Sequence, residues 1–141
     1  MSGSNREYPV GVERLQFDAD KYKAFNKSPV ISAEFSVAST GTTQAIEVPA
    51  GAYVYKVALL AVGAIATADI DVGDGVSTDR FIDGLTTLAD GDMAIAPNVA
   101  TGAAADEVGG HYYASNDTID VKVNASSTAG SGKLLVWYTM T

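Results

Sequence analysis

The feature that most constrains this chain lies at its C-terminal end. Ile119, Val121 and Val123 alternate with Asp120, Lys122 and Asn124. From Lys133 to Met140, one alternating set is Leu134, Val136, Tyr138 and Met140, and the other includes Leu135 and Trp137. Side chains that recur at every second position belong to strands, because successive Cβ atoms point to opposite faces of a sheet. The Ser/Thr/Ala/Gly stretch from Ser126 to Gly132 separates the two runs. The expected arrangement is a hairpin with a loop of about seven to nine residues.

The same period runs upstream. Ile31, Ala33, Phe35 and Val37 alternate with Ser32, Glu34 and Ser36, which predicts one strand with a wet face. Ser39 to Thr42 is a turn cluster, and Ile46 and Val48 flank Glu47 in a short second strand. Pro49-Ala50-Gly51 breaks that strand. Tyr53 to Val62 is apolar except for Lys56, and its β-branched and aromatic residues predict a central strand buried on both faces. Asp69-Ile70-Asp71-Val72 alternates before a Gly73-Asp74-Gly75 turn, and Arg80-Phe81-Ile82 forms a further short strand. Residues 89–110 are rich in Ala and Gly and hold one short element at Met93-Ala94-Ile95. His111-Tyr112-Tyr113 leads to a turn at Asn116-Asp117. About eight short strands, Gly-rich turns and no long helical pattern predict an all-β fold, a β-sandwich or jelly roll.

Residues 1–29 differ from this body. They carry Tyr8, Phe17, Tyr22 and Phe25 among most of the basic groups, and Pro9 and Pro29 bound the stretch. Aromatic rings with arginine are common interface anchors. We therefore read 1–29 as an N-terminal arm and 30–141 as the sandwich domain. The candidate partner-binding residues of the arm are Tyr8, Arg14, Phe17, Tyr22 and Phe25. The segment 1–27 holds five basic and four acidic groups, whereas the rest holds four basic and thirteen acidic ones. With a net charge of −8, nucleic acid is not the expected partner, since phosphate binding needs clustered Lys and Arg. Ser2 to Arg14 is polar and does not resemble a secretion signal. Val57 to Ala68 is too short to cross a bilayer as a helix, so no membrane partner is expected.

Catalytic constellations are missing. There is one histidine, His111, and no cysteine, which excludes disulfides and thiol chemistry. His111 beside two tyrosines reads as a packed or surface residue. Neither a nucleophile elbow nor a phosphate-cradling loop occurs. Asp69 and Asp71 share a strand face, a spacing common on wet sheets. The run from Asp69 to Asp79 has four aspartates, but not in calcium-loop order: the third falls one place late, and Arg80 stands where a bidentate Glu belongs. These carboxylates read instead as caps on backbone N–H groups of a tight turn. No enzyme activity, metal or cofactor is expected.

Three stretches resemble small virion proteins of tailed bacteriophages, especially capsid decoration (cement) proteins. They are Val48 to Val57, with its proline–small–glycine entry to a strand; Val72 to Ile82, with a Gly-Asp turn leading to Asp79-Arg80-Phe81; and the closing segment Thr118 to Tyr138. The resemblance implies a sandwich that binds the outer surface of the major capsid protein lattice, as a homotrimer, and brings no catalytic residues. It also implies a place on the virion surface after synthesis in the host cytoplasm. Alternatives of similar build are a head- or tail-fibre module that meets the host surface and a carbohydrate-binding sandwich whose exposed tyrosines stack on sugars.

Overall fold

A computed structural model describes residues 28–96 and 110–141, together with the backbone of residues 98 and 99. The arm residues Tyr8, Arg14, Phe17, Tyr22 and Phe25 lie outside these. The described residues form eleven strands: β1 (Val30–Ile31), β2 (Phe35–Ser36), β3 (Gly41–Val48), β4 (Ala52–Val62), β5 (Asp69–Gly73), β6 (Ile82–Leu85), β7 (Met93–Ile95), β8 (Asn98–Val99), β9 (His111–Tyr113), β10 (Asp117–Ala125) and β11 (Ser131–Met140). Eight of them have three residues or more, matching the expected number.

Two sheets stack as a sandwich. Sheet one runs β9-β4-β11-β1, with β2 also on β11 and β7 also on β4. Sheet two runs β3-β10-β5-β6-β8. Pairing is antiparallel except for the short β6–β8 ladder. The core lies between the sheets: Val54, Val57, Leu59, Leu134 and Val136 from one side meet Ile46, Ile70, Val72, Ile119 and Val121 from the other. Burying these branched side chains is the main driving force for the fold.

The chain changes sheet at most of its connections. β3 and β4 are joined by a turn in which Ala52 N–H donates to Pro49 C=O and Gly51 takes φ of 90°. That is the geometry of a turn with glycine at its third position, where a Cβ would be strained. β4 then hands over to β5, β6 to β7, and β10 to β11 across the sandwich. β1 and β2 both stay in sheet one, and β5 and β6 pair directly within sheet two.

Two expectations need correction on this point. β10 and β11 are not a hairpin: β10 pairs with β3 and β5, and β11 pairs with β4, β1 and β2. The intervening residues cross between sheets and are pinned there. Ser127 N–H donates to Val37 C=O, Ser127 Oγ accepts from Ala66 N–H, and Val37 N–H donates to Gly130 C=O. Ser127 is buried, so these bonds replace water. Residues 30–37 are also not one regular strand. β2 pairs Phe35 with Gly132, whereas β1 pairs Ile31 with Leu135. One extra residue therefore sits on this edge between the two pairs. A one-residue bulge reverses the faces, so Phe35 and Val37 are buried while Ile31 is 57% exposed.

A smaller correction concerns β3. It starts at Gly41, inside the expected turn cluster, and its polar first half pairs with Val121 to Val123. An edge strand needs apolar residues only where it covers the core, and Ile46 and Val48 do that.

Candidate docking face and polar clasp

The outer faces of the two sheets differ in chemistry. On sheet two, cross-strand neighbours on the outside are Thr118 with Glu47, Asp120 with Gln44, and Lys122 with Asp71 and Thr42. This face is polar, as expected for a strand set with one wet side. Asp69 and Asp71 share it, as the alternation required. Asp71 Oδ1 accepts from Gly84 N–H at 2.9 Å and Oδ2 from Asn124 Nδ2 at 2.8 Å, so its carboxylate ties β5 to the strands on both sides.

On sheet one the outside is apolar. One row runs Ile95–Ala58–Leu135–Ile31 across four strands, with Ala58 itself fully buried. The next places Met93, Leu60 and the stem of Lys133 side by side. A third joins Tyr112, Tyr53 and Thr139. Between them Lys56 Nζ lies 4.6 Å from the centre of the Trp137 ring, a cation–π contact that screens one charge with an aromatic face. Among the described residues, seven large hydrophobic side chains are exposed, and four of them lie on this outer face: Ile31, Met93, Ile95 and Tyr112. Scattered exposed apolar residues are ordinary, but contiguous rows of them mark an interaction surface. The local cause is visible in β4. Its register against β11 slips at Trp137/Tyr138, which leaves one extra residue on β4 near Tyr55. Val54 and Val57 both point inward as a result, and the outer set becomes Tyr53, Ala58, Leu60 and Val62.

At one end of the sandwich a polar clasp joins the sheets. Asp74 follows β5 and is 1% exposed. Its Oδ1 accepts from Val76 N–H at 3.0 Å and Ser77 N–H at 2.9 Å, which closes the turn. Its Oδ2 accepts from Arg80 Nε at 2.6 Å and from Tyr113 Oη at 2.7 Å. Tyr113 stands on β9 of sheet one, so one carboxylate holds the β5–β6 turn of sheet two against the opposite sheet. Arg80 Nη1 is 3.3 Å from His111 Nδ1, and the His111 ring meets Tyr113 edge-on at 4.7 Å. The glycine before Asp74 is required by space, since a Cβ on Gly73 would collide with the Ser77 and Thr78 backbone.

The clasp sets the ionisation of its members. Burial pushes the Asp74 carboxyl up, but hydrogen bonds from Ser77 N–H, Tyr113, Arg80 and Val76 N–H outweigh it and hold the group below its ordinary value. Burial, and then the bond to the Asp74 carboxylate, raise the Tyr113 phenol well above the usual range, so it remains a donor. Asp120 behaves oppositely. Burial raises it, the Thr118 hydroxyl at 2.6 Å offsets only part, and the charges of Asp117 and Asp74 raise it further.

The aspartate run of residues 69–79 thus serves the turn. Asp74 caps two N–H groups, Asp71 bridges neighbouring strands, and Asp79 Oδ1 accepts from Ser77 Oγ at 3.1 Å. His111 packs on Tyr113 at the edge of sheet one. Sequence reasoning missed the Asp74–Arg80–Tyr113 clasp. The signal for it was an Asp and an Arg flanking one turn between two apolar strands.

No protein-family model matches the chain, and no curated protein matches it. Solved structures do. A chain in the acidic stable capsid structure of Helicobacter pylori bacteriophage KHP30 is 22% identical, with a TM-score of 0.56 over 79% of this chain and 87% of that one. A chain in the capsid asymmetric unit of cyanophage Pam1 is 18% identical, with a TM-score of 0.60 over 82% of this chain and 89% of that one. At these identities the likeness is one of fold: this chain is an all-β sandwich of the kind present in two bacteriophage capsids.

Proposed function

We propose that this chain is a bacteriophage virion structural protein that decorates the icosahedral capsid, binding the outer surface of the major capsid protein lattice through the apolar outside of sheet one. The observation that carries this reading is the contrast between the two outer faces. Ile31, Ile95 and Met93 are exposed on this face with the half-buried Leu60 and Leu135 between them, although Ala58 in the same row is fully buried, while the Glu47, Lys122 and Asp71 side of sheet two suits solvent. The shared fold with capsid chains supports the same assignment.

A protein with this job works by mass action. Binding only the assembled lattice lowers the free energy of that lattice relative to loose subunits. Many symmetric copies add through multivalency, and a homotrimer increases the effect. The arm of residues 1–29 would join adjacent copies through Tyr8, Arg14, Phe17, Tyr22 and Phe25. The chain makes and breaks no bonds in this role, and it resides on the virion surface after synthesis in the host cytoplasm.

The test is co-sedimentation with purified shells of the phage that encodes the chain. Saturable binding and greater heat resistance of the shells are expected. Failure to bind at saturating dose, with binding to host cells or to a glycan array instead, would favour a fibre module or a lectin.

A further inference from the structure

A groove of about 640 Å³ opens near the end of β3, the start of β10 and the end of β11. That volume is typical of small-ligand sites. Pro49 and the Tyr138 ring supply its apolar wall, and Gln44, Glu47, Asn116 and Asp117 supply polar groups. A bulge assembles this set. Thr118 of β10 pairs with Glu47 and Asp120 pairs with Gln44, so one extra residue, Ala45, sits on β3 between them. In a regular strand residues 44 and 47 would point to opposite faces. The bulge brings both to the face that carries Thr118, as bulges beside binding sites re-aim side chains.

Two of the polar side chains are held by the backbone around them. Asn116 Oδ1 accepts from Ala50 N–H at 2.8 Å, which leaves Nδ2 to donate. Asp117 Oδ1 accepts from Thr118 N–H at 2.7 Å and from Gly75 N–H at 3.4 Å, which leaves Oδ2 to accept. The groove therefore mixes amide donors with carboxylate acceptors, and no basic side chain occurs among its described lining residues. A hydroxyl both donates and accepts, so a polyhydroxylated ligand matches this mixture. An anion would meet two carboxylates with no counter-charge, and a cation would leave the amide N–H groups without acceptors. The carbon face of a sugar ring is apolar and packs on an aromatic side chain such as Tyr138.

We propose that this groove binds a neutral saccharide, with its hydroxyls held by Gln44, Glu47, Asn116 and Asp117 and one ring face against Tyr138. Gln44 and Glu47 belong to the outside of sheet two. A chain seated on a lattice through sheet one therefore keeps the groove open to a glycan. The inference concerns the free chain: loss of shell binding leaves it standing, and loss of sugar binding leaves the shell reading standing.

Amide NMR of the isotope-labelled full-length chain, without shells, reads the groove residue by residue. The probes are lactose, maltotriose, mannobiose and diacetylchitobiose, each added to about 50 mM, which saturates even a millimolar site. At least one should shift the amides of residues 44–48 and 116–118 saturably. Asn116→Asp keeps Oδ1 and its bond to Ala50 but removes the donor, and Glu47→Ala removes an acceptor at an exposed position. Each should weaken binding of that sugar at least about threefold, the worth of one hydrogen bond. Lys122→Ala, on the same sheet face but outside the groove, should leave it unchanged. The thermal midpoint of each variant checks that the body is folded. No shift at these amides with any of the four sugars, shifts confined to other residues, or binding indifferent to both groove variants would overturn the proposal. Spermidine shifting the groove amides where the sugars do not would also overturn it, in favour of a cation site.

Discussion

Asp74→Asn isolates the clasp. The substitution keeps the shape but removes the charge that faces Arg80 Nε at 2.6 Å and accepts from Tyr113 Oη at 2.7 Å. Arg80 is 8% exposed and Asp74 1%, so solvent screens their interaction little. Breaking a buried ion pair by removing one partner costs about 3–5 kcal/mol, because the remaining charge stays desolvated. A chain of this length unfolds with an entropy of about 0.3 kcal/mol/K, so the melting temperature should fall by about 10–17 °C. The pH dependence follows from the sign of the shift. The folded-state carboxyl lies below its ordinary value of 3.8. Its contribution is therefore fully present above that value and is lost as pH falls through the lower, folded one. Wild type should lose stability more steeply than Asp74→Asn over that acid range. Adding Arg80→Met to Asp74→Asn should recover part of the loss by removing the buried charge. Thermal unfolding followed by circular dichroism between neutral and acid pH measures all three proteins. A loss under about 1 kcal/mol for Asp74→Asn, or identical acid limbs, would refute the clasp as a main tie between the sheets.

Other expectations follow from single positions. Asp120 is buried and its carboxyl is raised, so its ionised form opposes folding at neutral pH. Asp120→Asn should raise the melting temperature at pH 7, and the gain should shrink as pH falls and wild type takes up the proton. Gly73→Ala should cost about 2–3 kcal/mol because the new Cβ meets backbone. Gly91→Ala, with φ of 84° and open space, should cost about 1–2 kcal/mol from the left-handed conformation alone, by chemical denaturation. Ile31→Asp and Ile95→Asp lie at 57% and 43% exposure. They should leave stability within about 0.5 kcal/mol of wild type and weaken shell binding at least about tenfold in co-sedimentation.

The sandwich was legible where alternation is strong. β4, β5, β10 and β11 fall where Tyr53–Val62, Asp69–Val72, Ile119–Val123 and Lys133–Met140 placed them. The two apolar sets of β11 were visible too, with Leu134 and Val136 inside and Leu135 and Trp137 outside. What local pattern omits is which sheet a strand joins. Period 2 sorts side chains between faces, and a hairpin and a crossover give the same alternation. The distinction between β10 and β11 rests on Ser127 and Gly130 bonding to residues more than sixty positions away. Bulges were equally hidden, since one extra residue near Ala33 or Tyr55 reverses a face without changing composition. The clasp was missed for the same reason: Tyr113 lies 39 residues from Asp74.

A cryo-EM map of shells saturated with this chain tests the central claim most directly. The expected map has the outer face of sheet one, with Ile31, Met93 and Ile95, against the capsid lattice and the Lys122–Asp71 side toward solvent. Shells without added density, or density with sheet two against the lattice, would contradict it.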